Sequence, residues 1–188
     1  IMSLMWSSML DGRTSPVCRA RDGHHRPADG RSWAGVPEPH LDGVDDSPPA
    51  HIRCRSALIA LLDDSGVAEQ LMRHRRATVT DTRTGRQQQI DFEAQARQRY
   101  GRGWSGLTAA EKAPYRRAVR REWAQENIGQ VPGNTTYGEW LKTQDRSFVE
   151  QVMGPARAKL FLDEGLQMDQ FVDRFGQPLT LQELANLI

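Results

Sequence analysis

The chain is expected to be α+β and mostly α: a loop-rich N-terminal motif with a small β-hairpin, followed by short helices in the C-terminal half. Three observations predict this. Thr/Glu pairs at capping-box spacing recur through the second half. Residues 11–49 are rich in Gly, Pro, Asp and Arg with no sustained apolar period. Leu, Val, Ile and Phe together number 37 of 188 residues, close to one-fifth, so any cores are small and local.

Taken in order, 11–49 reads as turns and loops. The segments 35–39 and 47–49 should be extended, because a residue before proline is pushed out of the helical region. Residues 54–62 are apolar enough for a buried strand or a short helix, and periodicity does not choose between them. Residues 67–76 look helical. The β-branched run 77–82, the Gly-containing turn 83–86 and the segment 87–92 have the form of a hairpin. From there the chain turns helical, with starts marked by Thr108/Glu111, Thr136/Glu139 and Thr180/Glu183. In the first of these helices Leu107, Tyr115, Val119 and Trp123 share a face, while Arg116, Arg117, Arg120 and Arg121 point elsewhere. Pro114 fits only near the first turn or at a kink, and the helix should stop near Gly129. The tail divides into helices at 137–144, 146–153, 155–164 and 181–188, with 168–175 as a fifth. Gly154, Gly165 and Gly176 supply the stops and Pro155 suits a first helical position. Phe148, Val152, Leu160, Phe161, Phe171, Phe175, Leu184 and Leu187 would form a small helical core. The regions divide at 1–62, 63–107 and 108–188.

Net charge is +1, but it is unevenly spread: 69–126 holds thirteen Lys/Arg against seven acids and 137–188 holds five against eight. A basic middle suits contact with phosphate or an acidic protein surface, and Arg116, Arg117, Arg120 and Arg121 are the candidate contacts; a solvated helix face is the plainer reading. The longest apolar stretch, 57–62, falls far short of the ~20 residues of a bilayer span. The first residues carry neither a charged leader nor a small-residue cleavage pattern, and an opening Ile is expected of a trimmed segment.

The chemistry-bearing residues are Cys18, His51 and Cys54. They are of zinc-ligand type, and the His-x-x-Cys spacing lets His51 and Cys54 converge. A structural zinc site needs a fourth ligand, for which Ser15, Asp22, His24, His25 and His40 are the neighbours available. A disulfide between Cys18 and Cys54, or two free thiols beside a hydrogen-bonded His51, fits the same residues. Gly-x-Ser-x-Gly and P-loop patterns do not occur in the sequence.

The stretch from Leu10 to Gly23, LDGRTSPVCRARDG, joined to Pro48 to Ser56, PPAHIRCRS, resembles the signature of the phage Mu F-like head morphogenesis (minor capsid) family. That signature is Arg-Thr-x-x-x-Cys-x-x-x-Asp-Gly, a variable loop, then Pro-Pro-x-His-x-x-Cys-Arg, and some members carry a second Cys where Ser15 stands. The resemblance continues at Asn127 to Pro132, Thr136 to Leu141 and Gly154 to Phe161, and does not touch 60–100. It implies a non-enzymatic virion structural protein inside the phage head near the portal, found in the host cytoplasm during assembly. Such a protein is needed for head assembly or DNA packaging, and in some relatives is released with the DNA. Portal protein, other capsid components and packaged DNA are the implied partners, with no small-molecule substrate. Two other readings use the same residues. One is a zinc-stapled nucleic-acid-binding module. The other is a His-Asn-His type nuclease, because Asp22 to Pro27 is similar to that class's metal-bound general-base segment; the downstream Asn-and-His element it needs is not found.

Overall fold

The computed structural model describes residues 3–27, 48, 50, 54–61, 75–173 and 175–187. The fold is α+β and mostly α. The strands are β1 Ser3–Ser7, β2 Leu10–Asp11, β3 His25–Pro27, β4 Ala57–Leu61, β5 Arg75–Val79 and β6 Ile128–Pro132. The helices are α1 Pro16–Arg21, α2 Gly85–Tyr100, α3 Ala109–Asn127, α4 Tyr137–Lys142, α5 Arg146–Met153, α6 Pro155–Leu162 and α7 Leu181–Ala185, with 3₁₀ turns at Trp104–Gly106 and Met168–Phe171.

Two three-stranded sheets form. In the order β3-β1-β4 both pairs are antiparallel, with Met5 opposite both His25 and Ile59. In the order β2-β5-β6, β2 runs parallel and β6 antiparallel to the central β5, so that Thr78 faces Leu10 on one side and Gly129 on the other. This second sheet draws one strand from the N-terminal motif, one from the middle and one from after α3.

The three capping boxes form as read: the hydroxyls of Thr108, Thr136 and Thr180 accept from the backbone N–H three residues on, and each Glu reaches back to the cap amide. Helix α5 occupies the expected range, and Pro155 opens α6 at its first position. Leu107, Tyr115, Val119 and Trp123 share a cluster with Phe92, Ala96 and Trp104 between α2 and α3. Pro114 lies at the sixth position of α3, deeper than a first turn, so the bond that its N–H would have given Ala110 is missing.

Several expectations are corrected. The second arm of the hairpin, 87–92, is part of α2. Thr84 caps that helix by accepting from Gln87 N at 3.2 Å, and Gln87 to Arg97 is dominated by good helix formers; β5 takes β6 as its antiparallel partner instead. The reading of 11–49 as turns missed β2, α1 and β3, because the strands depend on partners distant in sequence and α1 starts from Pro16 at its first turn. The helix over 67–76 fails at its end, where Arg75 and Arg76 belong to β5; 67–74 lies outside the described residues, as do 35–39, Ser47 and Pro49. Residues 54–62 resolve to strand β4 over 57–61. In the tail core Phe161, Phe171 and Leu184 are buried with Tyr137, Trp140 and Val149, and Phe148, Val152 and Leu160 pack on them. Phe175 and Leu187 are instead 37% and 52% exposed: α7 ends at Ala185, and Phe175 sits in the turn beyond the second 3₁₀ element.

Candidate functional site

The signature residues from Leu10 to Gly23 converge on two buried carboxylates. Asp22, at the end of α1, accepts from Ser8 N (2.6 Å) and Arg76 Nη2 (2.8 Å) at Oδ1, and from Tyr137 N (2.6 Å) and Arg76 Nη1 (3.0 Å) at Oδ2. Arg76 arrives from β5 and also donates to Ser8 O (2.5 Å) and Thr135 O. Every oxygen lone-pair direction is thus matched by a donor, as a buried charge requires. Burial pushes the Asp22 carboxyl up from its ordinary value, against the pull of Arg76 and the two backbone amides.

Asp11, at the end of β2, accepts from Arg13 N (3.0 Å), Thr14 Oγ1 (3.0 Å) and Arg55 Nη2 (2.9 Å), and its second oxygen takes Arg55 Nη1. Burial alone would raise this carboxyl, but Arg55, Thr14 and the Arg13 amide outweigh it and hold it below its ordinary value. Tyr137 binds the same region from the tail: its hydroxyl donates to Asp11 O at 2.8 Å, and the Arg19 guanidinium lies 5.4 Å from its ring centre. Arg19 donates to Thr14 O (2.5 Å), Gly12 O (3.3 Å) and Val152 O (3.1 Å), tying α1 to the end of α5. Gly23 is required here twice over. Its φ is +83°, and a Cβ would stand 2.7 Å from the Thr136 methyl.

Cys18 and Cys54 are brought together, with their sulfurs 3.6 Å apart and not joined in a disulfide. Cys18 is buried in α1, and burial raises its thiol. Cys54, just before β4, is half-buried. Burial would raise it as well, but the Ser56 and Ala50 backbones, the Ser56 hydroxyl and the Cys18 thiol bring it below its ordinary value. Nearby polar atoms are hydroxyls: Ser8 Oγ donates to Cys18 O (2.7 Å) and lies 3.0 Å from Ser56 Oγ. His51 and His40, two of the ligand candidates, lie outside the described residues. Of the other proposed fourth ligands, Asp22 is committed to Arg76, His24 lies half-buried just before β3, His25 lies exposed on β3, and the Ser15 side chain, just before α1, hydrogen-bonds Cys18. Among the described residues no three His, Cys, Asp or Glu side chains gather as a metal-binding group.

The four arginines of α3 divide. Arg116 is paired within the chain, its Nε donating to Glu93 Oε2 (2.6 Å) and its Nη2 to Glu93 Oε1 (3.0 Å). Arg117, Arg120 and Arg121 are exposed on the side away from the α2–α3 cluster. Sequence reasoning did not single out Arg76, and it carried Arg55 and Tyr137 only inside the resembling segments, with no role of their own. The Asp-Gly-Arg-Thr and Arg-Asp-Gly runs point to buried turn carboxylates, but nothing local to Arg76 or Tyr137 announces a partner 54 or 115 residues away. No helix among the described residues is long and apolar enough to cross a membrane. No protein-family model, curated protein or solved structure matches this chain.

Proposed function

We propose that the chain is a structural component of a phage virion, a minor head protein placed near the portal and working in head assembly or DNA packaging. One observation carries the reading. Separate segments that resemble the Mu F-like head morphogenesis family meet in one knot: Asp11, Arg19 and Asp22 from the first, Arg55 from the second, Tyr137 from a third. Residues shared over such sequence distances and spent on holding each other are what a structural signature requires. The carboxylates Asp11 and Asp22 are occupied by guanidinium and amide donors rather than presented to a cleft. The apolar side chains Met9, Ile90, Ile128, Phe175, Leu181 and Leu187 are exposed, which suits a chain that buries surface against portal or capsid subunits. Arg117, Arg120 and Arg121 are the contact to DNA or an acidic capsid surface, since Arg116 is held by Glu93.

The test is co-expression with portal and capsid proteins, followed by copy counting in purified particles. A few copies per particle are expected. Changing Arg117, Arg120 and Arg121 to Gln should leave the fold intact and lower both incorporation and salt-dependent DNA binding. Normal incorporation with unaltered DNA affinity at low salt would reduce that face to a solvated one; absence of the chain from particles would sink the virion reading.

A further inference from the structure

We infer that Cys18 and Cys54 are a dithiol that closes reversibly to a disulfide, clasping α1 to the segment entering β4. The sulfurs lie 3.6 Å apart, so bond formation needs an approach of about 1.5 Å. Cys54 has the freedom to make it: it is half-buried and precedes the strand, whereas Cys18 is fixed in the middle of a helix under Trp6 and Ala50. The crevice lined by Met9, Arg13, Ser15, Cys18, Arg55 and Ser56 measures about 20 Å³, room for one water. Cys18 is itself 2% exposed, so a low-molecular-weight disulfide does not reach it, and the sulfur open to attack is that of half-buried Cys54.

The order of steps follows. Cys54 loses its proton to solvent, and its thiolate attacks one sulfur of a small disulfide of the glutathione class. That reagent's S–S bond breaks, one thiol leaves, and a mixed disulfide remains on Cys54. Cys18 then gives up its proton and attacks Cys54 Sγ, expelling the second thiol. Two protein thiols are oxidised to one disulfide while one reagent disulfide is reduced to two thiols. The bond closes a separation of 36 residues, which removes freedom from the unfolded chain and stabilises the folded one. A virion passes from a reducing cytoplasm to an oxidising medium, so the clasp would close on release. That use rests on the role proposed above, whereas the dithiol chemistry is read on the isolated chain and stands or falls without it.

The whole chain is equilibrated near neutral pH across a series of reduced to oxidised glutathione, trapped with N-ethylmaleimide, and examined by intact mass and peptide mapping. The expected result is an intramolecular 18–54 link, reversed by dithiothreitol, with a melting midpoint higher by roughly 5 °C. Cys18→Ser should accumulate glutathione on Cys54, and Cys54→Ser should leave Cys18 unmodified. Both thiols still alkylated at the oxidising end would overturn the proposal, as would wild-type chain stalled with glutathione on Cys54. Zinc carried at about one per chain that blocks oxidation of both thiols would also overturn it, making the pair a ligand set.

Discussion

At the residue scale, Asp22 is the most consequential single side chain. It is fully buried, and Arg76 beside it is 9% exposed, so removing the carboxylate leaves a guanidinium in a low-dielectric setting without its counter-charge. Asp22→Asn should cost about 3–5 kcal/mol in denaturant unfolding. Asp22→Asn combined with Arg76→Met should recover part of that loss, because the stranded charge is gone. A single variant within a few tenths of a kcal/mol of the parent would show that the pair is not what holds α1 to β5. Acid dependence comes from other carboxylates. For Asp81, burial works upward, but the Arg83 side chain and amide and the Trp123 indole outweigh it and hold the group well below its ordinary value. Asp11 is lowered in the same way by Arg55. A depressed folded value means that stability from these groups is fully present above the unfolded value of ~4 and is lost as pH falls through the folded one. Asp22, raised by burial, acts in the opposite sense. Asp81→Asn should therefore flatten the acid side of a plot of urea midpoint against pH, and an unchanged slope there would remove Asp81 from the account.

At the element scale the three capping boxes show what local sequence can carry. Each needs only a Thr and a Glu three residues apart, and each reports its own helix start. Thr108→Ala should cost about 1 kcal/mol, read as a drop in urea midpoint together with faster exchange in the first turn of α3. Thr136→Ala should cost more, because the same side chain packs on Gly23; equal costs would mean that this packing adds nothing. The hairpin misread at 87–92 has a local cause: β-branched residues up to Thr82 continue into a Gly-containing turn, and Thr84 at cap spacing from Gln87 was hidden in that run. Strands β1, β2, β3 and β6 were not legible because two to five residues of each acquire their meaning only from partners elsewhere in the chain. The candidate site was legible in part on the same principle. Cys18 and Cys54 stood out by residue type, whereas the Asp22–Arg76–Tyr137 knot joins groups whose sequence neighbourhoods share no pattern.

At the scale of the whole molecule, the tail core around Tyr137, Trp140 and Phe161 and the α2–α3 cluster around Phe92, Trp104 and Val119 are separate bodies of packing. The knot ties the first to α1 and to the β2-β5-β6 sheet through Tyr137 and Arg76. The α2–α3 pair is attached through β5, β6 and the Trp123 indole bond to Asp81 at 2.6 Å. Such an arrangement opens in units rather than all at once. Tyr137→Phe isolates the tie, because it deletes one buried hydroxyl and the bond to Asp11 O while keeping the ring that packs on Trp140 and under Arg19. The expected cost is about 1 kcal/mol, which is a melting midpoint lower by roughly 2–4 °C. In native-state hydrogen exchange the amides of 10–23 and 137–142 should exchange together about fivefold faster, while those around Phe92 and Val119 keep their rates. Equal acceleration throughout would make the chain a single cooperative unit, and acceleration confined to α4 would mean that Tyr137 anchors only its own helix and not the N-terminal motif.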